Sequence, residues 1–273
     1  MTAKEFDTVL IDGDQMMYTV GFAAEGEPLK YVLGTIKKNI DKIQKACNAE
    51  HREIWVKGTD NFRDKLSVSR GYKSTRRSDK PKDFEEIFKY ILEYQGAKQA
   101  HGMEADDMLS VRLYEDHERG YDQYVLASQD KDLLNTPGWH HNPRKPAQGL
   151  FHISPEEADM HFWYQMLAGD TVDNIPGLPG ITRDVFDRYD LAGGGTGISS
   201  KRAWEIVYSH TVEELPRVVR ELYGEWFAHD VPLAPESMVQ QYFIEQGRLL
   251  WMARHLHEDG SPVLWEPSWY SYD

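Results

Sequence analysis

The sequence has little cysteine and no long apolar run. Cys47 is the only cysteine in 273 residues, which excludes an internal disulfide and fits a reducing cytoplasm. No apolar stretch approaches the ~20 residues of a membrane-spanning helix. The first residues show no basic stretch followed by an apolar one, so we expect no signal peptide. These absences predict a cytoplasmic protein without a membrane partner.

Positive charge is also scarce. The 31 lysines and arginines stand against 45 acids, which gives a formal net charge of -14. On its own, this charge argues against a polyanionic nucleic acid as partner. The charge is unevenly spread, however, because residues 60–82 contain eight lysines or arginines and three aspartates. The distribution therefore says more about the partner than the sum does.

Short apolar segments that alternate with helical patterns predict an α/β fold. Apolar residues make up 40% of the chain, enough to bury a core. Strands that alternate with helices favour a parallel sheet flanked by helices. Strands are expected at 7–14, 52–60 and 123–132, and helices at about 32–47, 83–95 and 104–118.

The second half of the chain is predicted to be mainly helical. The motifs SPEE and TVEE are capping boxes, which mark the first turns of helices. Helices are expected over 155–168, from 211, and over 235–256, and another is expected after the glycine-rich loop at 191–202, capped by Ser199.

Aspartates follow all three expected strands. Sites in parallel sheets form beyond the carboxyl ends of the strands, so these acids are expected to share one edge. More acids occur in the segments EADD and GDTVDN. The full set is Asp12, Asp14, Asp60, Glu104, Asp106, Asp107, Asp130, Asp132, Asp170 and Asp173.

Each acidic group alone has an ordinary explanation. A helix N-terminus stabilises a nearby acid by roughly 0.3–1 kcal/mol, and the Asp130/Asp132 and Asp170/Asp173 pairs also suit solvated turns. Together, acids with few basic neighbours in sequence suit hard divalent cations, Mg²⁺ or Mn²⁺. Two such ions ~3.5–4 Å apart stabilise a phosphodiester displacement. The eleven histidines show no ligand-like spacing, and WHH (139–141) is interpreted as a surface loop.

Residues 57–84 form a basic segment, in which the run of cations starts just after the acidic Asp60. It mixes cations with Tyr72, a combination that can bind phosphates and stack a base, although a solvated charged loop would show the same composition. Positive charge next to a metal site is what a polyphosphate substrate needs. The cations are Arg63, Lys65, Arg70, Lys73, Arg76, Arg77, Lys80 and Lys82.

Five segments occur in a recognisable order over residues 8–181. They are LIDGDQMMY, KGTDNFRDKLSVSRGYKSTR, EADDML, ASQDKDLL and LAGDTVDNIPGLPGI. Together they resemble the 5′ nuclease family of flap endonucleases and 5′→3′ exonucleases, most of all its phage members. The resemblance implies a monomeric 5′→3′ exonuclease or structure-specific 5′ flap endonuclease of phage DNA replication, working in the host cytoplasm by a two-metal mechanism. The implied substrates are DNA with 5′ ends or flaps, and also RNA in RNA-DNA hybrids.

The resemblance also assigns roles to residues. It implies two Mg²⁺ ions, replaceable by Mn²⁺, held by Asp12, Asp60, Glu104, Asp106, Asp107, Asp130, Asp132, Asp170 and Asp173. It implies catalytic roles for Lys73, Arg76 and Asp130, and an arch formed by the basic segment. It implies DNA contacts, with K⁺ at the hairpin, by Arg70, Tyr72, Lys73, Arg76, Arg77, Gly177, Gly180, Ile181, Ser199 and Lys201.

The implied fold is a parallel, PIN-like sheet flanked by helices, with a helix-hairpin-helix that binds DNA and a helical C-terminal region. The expected divisions are a nuclease core at 1–176 with a basic arch at about 60–82, a hairpin element at 177–210, and a C-terminal region at 211–273 that packs on the core. The hairpin departs from the family pattern, because about fifteen residues at 182–196 separate its halves. We expect them to loop out. No polymerase region follows, so a stand-alone nuclease is expected.

Three further functions stay open. DGD after a strand and the later GDxxDN also resemble the haloacid-dehalogenase phosphatases, in which the first aspartate is a nucleophile. Met16 stands where that family has Thr or Val, and no lysine precedes Asp170 at the expected spacing. A phosphatase would also leave EADD and the basic segment unexplained. An RNA-cleaving relative and a non-catalytic DNA-binding protein would both share the nuclease fold.

Overall fold

The computed structural model describes residues 4–75, 79–178, 198–230 and 235–267. Its contacts divide the chain into two compact units. The first unit contains Met1–Phe62, Arg77–Pro155 and Met252–Val263, and the second contains Arg63–Arg76, Glu156–Trp251 and Leu264–Asp273.

A six-stranded sheet forms the centre of the first unit. The strands are β1 (Phe6–Asp12), β2 (Ala49–Val56), β3 (Lys98–Gln99), β4 (Tyr124–Ala127), β5 (Gly138–His141) and β6 (Leu150–Ile153). Their order is β3-β2-β1-β4-β5-β6, and all neighbours are parallel except β5 and β6, which are antiparallel. The expected parallel sheet is confirmed, and β3, β5 and β6 extend it beyond the three strands that the sequence predicts.

Helices accompany the strands, as the alternating pattern predicts. In the first unit they are α1 (Gly13–Ala23), α2 (Leu29–Ala46), α4 (Phe84–Gln95) and α5 (Ala105–Glu118), and the short α3 (Phe62–Leu66) leads into the second unit. Two 3-10 helices cover Asp132–Asn135 and Pro146–Gln148. Their packing leaves β1 buried: Val9, Leu10 and Ile11 are each 0% exposed, as in a central parallel strand covered on both faces.

The two faces of β1 pack against different helices. Ile11 belongs to a cluster with residues of α1, α2 and α4, such as Met17 and Ile36, whereas Leu10 packs with Leu109 of α5. This packing fixes the strand along its whole length. Asp12, the last residue of β1, is therefore held at the carboxyl edge in the middle of the sheet.

The WHH segment is a strand, so its interpretation as a surface loop is wrong. It forms most of β5, and His140 and His141 are 3% and 4% exposed. Burial lowers the pKa of His140 to about 4, although a hydrogen bond with the Thr136 carbonyl opposes the shift. A strand of four residues has too little alternation to be distinguished from a loop in the sequence.

The second unit is helical, as expected. Its helices are α6 (Pro155–Ala168), α7 (Ser200–Tyr208), α8 (Leu215–Asp230) and α9 (Glu236–Leu250). Phe162, Tyr223 and Phe243 pack in its core, and the Tyr223 hydroxyl donates to the Met166 carbonyl at 2.6 Å. Among the described residues, no helix has the length and apolarity needed to span a bilayer.

The units differ from the expected divisions of the chain. Residues 63–76 belong to the second unit, in which the fully buried Arg63 donates to the carbonyls of Leu249 and Trp251. The last helix ends at Leu250 rather than 256, because residues 252–263 belong to the first unit. The two compact units meet in the chain after Pro155, at the start of α6, whereas the expected division near 176 stays a prediction.

Gly58 tests the packing of the loop that carries Asp60. A Cβ at Gly58 would lie 1.6 Å from the carbonyl oxygen of Ala100, a backbone atom with no freedom to move aside. We expect Gly58→Ala to lower the free energy of unfolding by about 3 kcal/mol or more, as measured by urea unfolding. The control is Gly34→Ala in α2, where a Cβ meets nothing within 4 Å and should add about 0.5–1 kcal/mol. Wild-type stability for Gly58→Ala would contradict this packing.

Candidate active site

The candidate site begins where β1 and β4 end. The two strands are parallel neighbours with Ile11 opposite Ala127, so Asp12 and Ser128 come next to each other at the same edge. The Ser128 hydroxyl lies 3.5 Å from a carboxylate oxygen of Asp12, to which it donates. The register of the sheet thus brings together two residues that are 116 positions apart in sequence.

The segment after β4 turns back on itself. The Ser128 hydroxyl accepts the amide of Asp130, and the Asp130 carboxylate accepts the amide of Asp132, both at 3.0 Å. Asp132 begins a 3-10 helix. The extended geometry expected for this Asp-x-Asp pair is therefore wrong, because Asp130 caps a turn that contains Asp132. Both carboxylates are half-buried beside the carboxyl end of β4.

Asp12 carries the clearest electrostatic signal. It is 6% exposed and caps α1, since its carboxylate accepts the Gln15 amide at 2.9 Å. Burial first, then the charges of Asp14 and Asp130, raise its pKa from 3.8 to about 7, although hydrogen bonds from Gln15 and Ser128 oppose the shift. Asp14 and Asp130 are thus each close enough to repel the charged form of Asp12, and a cation beside Asp12 would relieve that repulsion.

Asp14 belongs to this group, although the resemblance does not include it among the ligands. Its carboxylate accepts the amide of Lys57, just beyond β2, at 3.0 Å. The site is therefore connected to a third strand end. In the sequence, Asp14 could have been recognised as a member of this group because it is the second aspartate of DGD. Asp60 follows β2 as expected, but it is exposed, with a left-handed φ of 65°.

The EADD segment begins α5 and divides into different roles. Glu104 is the N-cap and forms a capping box with Asp107. The two oxygens of the fully buried Asp107 accept the amides of Glu104 and Ala253, each at 3.1 Å. These bonds position both ends of the Asp107 carboxylate, and metal binding by Asp107 stays a prediction from the resemblance. Glu104 and the half-buried Asp106 stay candidate ligands.

The segment GDTVDN forms a tight turn in the second unit. Asp170 is 2% exposed, exchanges backbone hydrogen bonds with Ile175, and accepts the amide of Val172 at 2.8 Å. The glycines on either side, Gly169 and Gly177, have φ of 66° and 65°. A Cβ on Gly177 would lie 2.4 Å from the Gly169 nitrogen. The two glycines therefore let the ends of the turn meet.

Part of the basic segment is bound to this turn. The Tyr72 hydroxyl donates to the Asp173 carboxylate at 3.1 Å, and the Lys73 ammonium lies 3.5 Å from the same oxygen. The Lys73 amide also donates to the Asp173 carbonyl, and Asn174 donates to Gly71 and Ser74. Asp173 has no basic neighbour in sequence, but the fold supplies one 100 residues away.

The residues expected to contact DNA differ in their burial and in their hydrogen bonds. Gly177 is buried, its amide donates to Gln246 at 3.1 Å, and its carbonyl accepts the Tyr242 hydroxyl. Both backbone polar groups of Gly177 thus have partners within the protein, and its contact with DNA stays a prediction from the resemblance. Ser199 caps α7 as expected, and the Lys201 side chain is 87% exposed. Arg70 is exposed. The predictions for Arg76, Arg77, Gly180, Ile181 and the insertion at 182–196 lie outside the described residues.

Comparison with known sequences finds a DNA polymerase and a 5′-3′ exonuclease, while no protein-family model matches. The chain is 27% identical over 209 residues to the thermostable DNA polymerase I of Thermus thermophilus, which covers 66% of this chain and 23% of the polymerase. It is 27% identical over 198 residues to a 5′-3′ exonuclease of Buchnera aphidicola, and the match covers 65% of this chain and 67% of the exonuclease. The chain thus spans under a quarter of the polymerase.

Solved structures with the same fold agree with these relatives. T5 5′-exonuclease with bound zinc has a TM-score of 0.57 at 16% identity and 89% coverage of both chains. T5 D15 flap endonuclease, solved with DNA and metal ions, has a TM-score of 0.55 at 16% identity, with 89% of this chain and 88% of that one covered. The catalytic core of Rad2 with DNA substrate has a TM-score of 0.50 at 13% identity, and the match covers 96% of this chain and 83% of the Rad2 core. At these identities, the similarity shows the fold.

The raised pKa of Asp12 predicts a pH-dependent gain in stability from Asp12→Asn. The folded protein holds the Asp12 proton up to about pH 7, whereas the unfolded chain releases it near 3.8. Without metal, wild-type stability is therefore lost as the pH rises through this window. In EDTA, the variant should gain roughly 1–3 kcal/mol above pH 7 and nothing below about pH 4, as measured by urea unfolding.

Asp41→Asn is the matched control. Hydrogen bonds from Lys37 and then Arg52 lower the pKa of Asp41, so its ionised form stabilises the folded state. Its neutralisation should lower stability at neutral pH and have no effect at acid pH. A gain for Asp12→Asn that does not vary with pH would contradict the carboxylate repulsion.

Proposed function

We propose that this chain is a 5′ nuclease that hydrolyses DNA from 5′ ends and at 5′ flaps. The observation that carries the proposal is the buried Asp12 at the carboxyl edge of the sheet, with Asp14 and Asp130 close enough to repel its charged form. The names of the relatives support the reaction and substrate, since they describe a 5′-3′ exonuclease and a flap endonuclease solved with DNA.

The donor set of this edge fits a hard divalent cation. Asp12, Asp14, Asp130 and Asp132 offer oxygen ligands, which suit Mg²⁺ and Mn²⁺. When bound, a pair of such ions stabilises phosphate charge and lowers the pKa of water. Two ions, Mg²⁺ as the natural one, and Glu104 and Asp106 as additional ligands are parts of the proposal. For Asp60, Asp170 and Asp173, metal binding stays a prediction from the resemblance.

Protein groups prepare the carboxylates for this task. The Gln15 amide and the Ser128 hydroxyl donate to Asp12 and so favour its charged form. Ser128 also accepts the Asp130 amide, which fixes the direction of the segment after β4. Because Asp12 must be ionised to bind a cation, binding should strengthen as the pH rises through about 7.

The cations of the second unit are proposed to bind DNA phosphates. Lys73 is held by its backbone and by Asp173, so its ammonium has a defined position, which suits a catalytic role. Lys201 is almost fully exposed in the first turn of α7, where a helix N-terminus also attracts anions. The proposed substrates include RNA in hybrids, and the proposed setting is a cytoplasmic monomer in phage replication with K⁺ at the hairpin. A phosphatase activity gains no support from the named relatives.

Asp130→Asn tests the metal-dependent mechanism. The variant keeps the shape of the side chain but removes one ligand charge, so 5′-flap and 5′-end cleavage should fall by about 10²–10³-fold or more while DNA affinity holds or rises. The measurements are single-turnover cleavage and equilibrium binding with a 5′-labelled flap duplex, with Mg²⁺ or EDTA. Glu93→Gln, an exposed acid of α4, is the control and should cleave normally.

Three outcomes of that experiment would reject the proposal. Cleavage that persists in EDTA would exclude metal dependence. Normal DNA binding without any wild-type cleavage would favour a non-catalytic DNA-binding protein. Products that appear first from the 3′ end would contradict the proposed polarity.

Lys73→Ala and Lys201→Ala separate catalysis from binding. A cation that stabilises developing phosphate charge contributes about 2.7–4 kcal/mol to the transition state, so Lys73→Ala should lower the rate at saturating DNA by about 10²–10³-fold. Lys201→Ala should leave that rate unchanged, weaken duplex binding, and lower the slope of log affinity against log salt by about one unit. The reverse pattern would make Lys73 a phosphate anchor and contradict its catalytic role.

A further inference from the structure

We propose that the first unit carries a separate transition-metal site formed by His117, Asp122 and His152. Each residue offers one ligand atom, and these atoms lie within 4.8 Å of one another. His117 is in the last turn of α5, Asp122 follows that helix, and His152 is on β6. The fold thus brings two imidazoles and a carboxylate together from the end of a helix, the turn after it and a strand.

The distances suit a small tetrahedral ion. The Nδ1 atom of His117 lies 3.3 Å from a carboxylate oxygen of Asp122. Two ligands at about 2.0–2.1 Å from a tetrahedral Zn²⁺ lie roughly 3.3–3.4 Å apart, so this pair needs almost no movement. The ring centroids of His117 and His152 are 6.0 Å apart, so a small side-chain rotation of His152 completes the group.

The chemistry of the donors selects a different ion from that of the carboxylate edge. Imidazole nitrogen with one carboxylate suits Zn²⁺ and its neighbours, whereas sites made of carboxylates alone suit Mg²⁺ and Mn²⁺. Three protein ligands also leave a position for water. We therefore expect this group to bind Zn²⁺ in the presence of a large excess of Mg²⁺.

The surroundings hold the donors in place. Asp116, 6% exposed, accepts the amides of Gln123 and Tyr124 at 2.8 and 2.9 Å, which fixes the turn that carries Asp122. Asp122 itself has a left-handed φ of 49°. His152 stands opposite Trp139 in the β5–β6 register and packs edge-on against its indole at 5.2 Å. Such support from neighbouring groups orients metal ligands.

The position indicates a structural role for the ion. Asp122 precedes the amino end of β4, whereas Asp130 follows its carboxyl end, so the group and the carboxylate edge lie at opposite ends of that strand. β6 is the last strand of the sheet. A bound ion would join the end of α5 to this edge strand and stabilise the folded first unit.

Titration with Zn²⁺ alone in excess Mg²⁺ tests the site. We expect one Zn²⁺ to bind each chain and to raise the thermal unfolding temperature. His152→Ala and, separately, Asp122→Asn should each weaken Zn²⁺ binding by about 100-fold or more, because removal of even an outer partner costs about 10–100-fold. Both variants should lose the thermal shift, which is measured for each variant against its own unfolding temperature without zinc.

Two controls separate this site from others. His51 lies 3.8 Å from Glu50, so His51→Ala removes a histidine with one carboxylate neighbour and should leave zinc affinity unchanged. Asp130→Asn should also bind Zn²⁺ normally, which keeps this test independent of the nuclease proposal. Wild-type zinc affinity in His152→Ala, or the absence of zinc binding to the wild-type chain in Mg²⁺, would overturn the inference.

Discussion

Repulsion among carboxylates at the ends of β1 and β4 is the constraint on which the site depends. The parallel register of these strands is fixed by a core in which Leu10 and Ile11 are fully buried. Asp12 is therefore held close to Asp14 and Asp130. A buried carboxylate with a pKa near 7 costs stability in the absence of a cation. The fold is thus less stable without a cation, because it holds the Asp12 carboxylate at the edge where the proposed phosphodiester substrate would bind.

A second constraint acts on the turn that contains Asp173. Tyr72 and Lys73 contact one oxygen of this carboxylate, and the Lys73 amide contacts its carbonyl. A basic residue with many rotatable bonds is thereby fixed by its backbone, at a φ of 53° that few such residues adopt. Since strain of this kind persists where surrounding contacts determine it, the turn and residues 71–74 form one structural element.

Local pattern was enough to predict the central strands of the fold and the acids that follow them. The strands before Asp12 and Asp130 are apolar runs that end in acids, and the helix that begins at Pro155 has a capping box, so each has a signal within a few residues. The short strands β3 and β5 lack such a signal. The contact of Tyr72 with Asp173 spans 101 residues, and no property of either segment indicates it.

Residues of one sequence motif can also make structural contacts that the sequence does not indicate. Gly177, which the resemblance implies in DNA contact, is buried against Gly169, and its amide donates to Gln246. Asp107 of EADD, which the resemblance implies as a metal ligand, accepts two backbone amides. Both residues hold backbone in place, so that neighbours such as Asp170 and Asp106 have fixed directions. Each of these segments of the chain therefore combines residues proposed to bind cations with residues whose hydrogen bonds hold the backbone, and only the folded structure shows those hydrogen bonds.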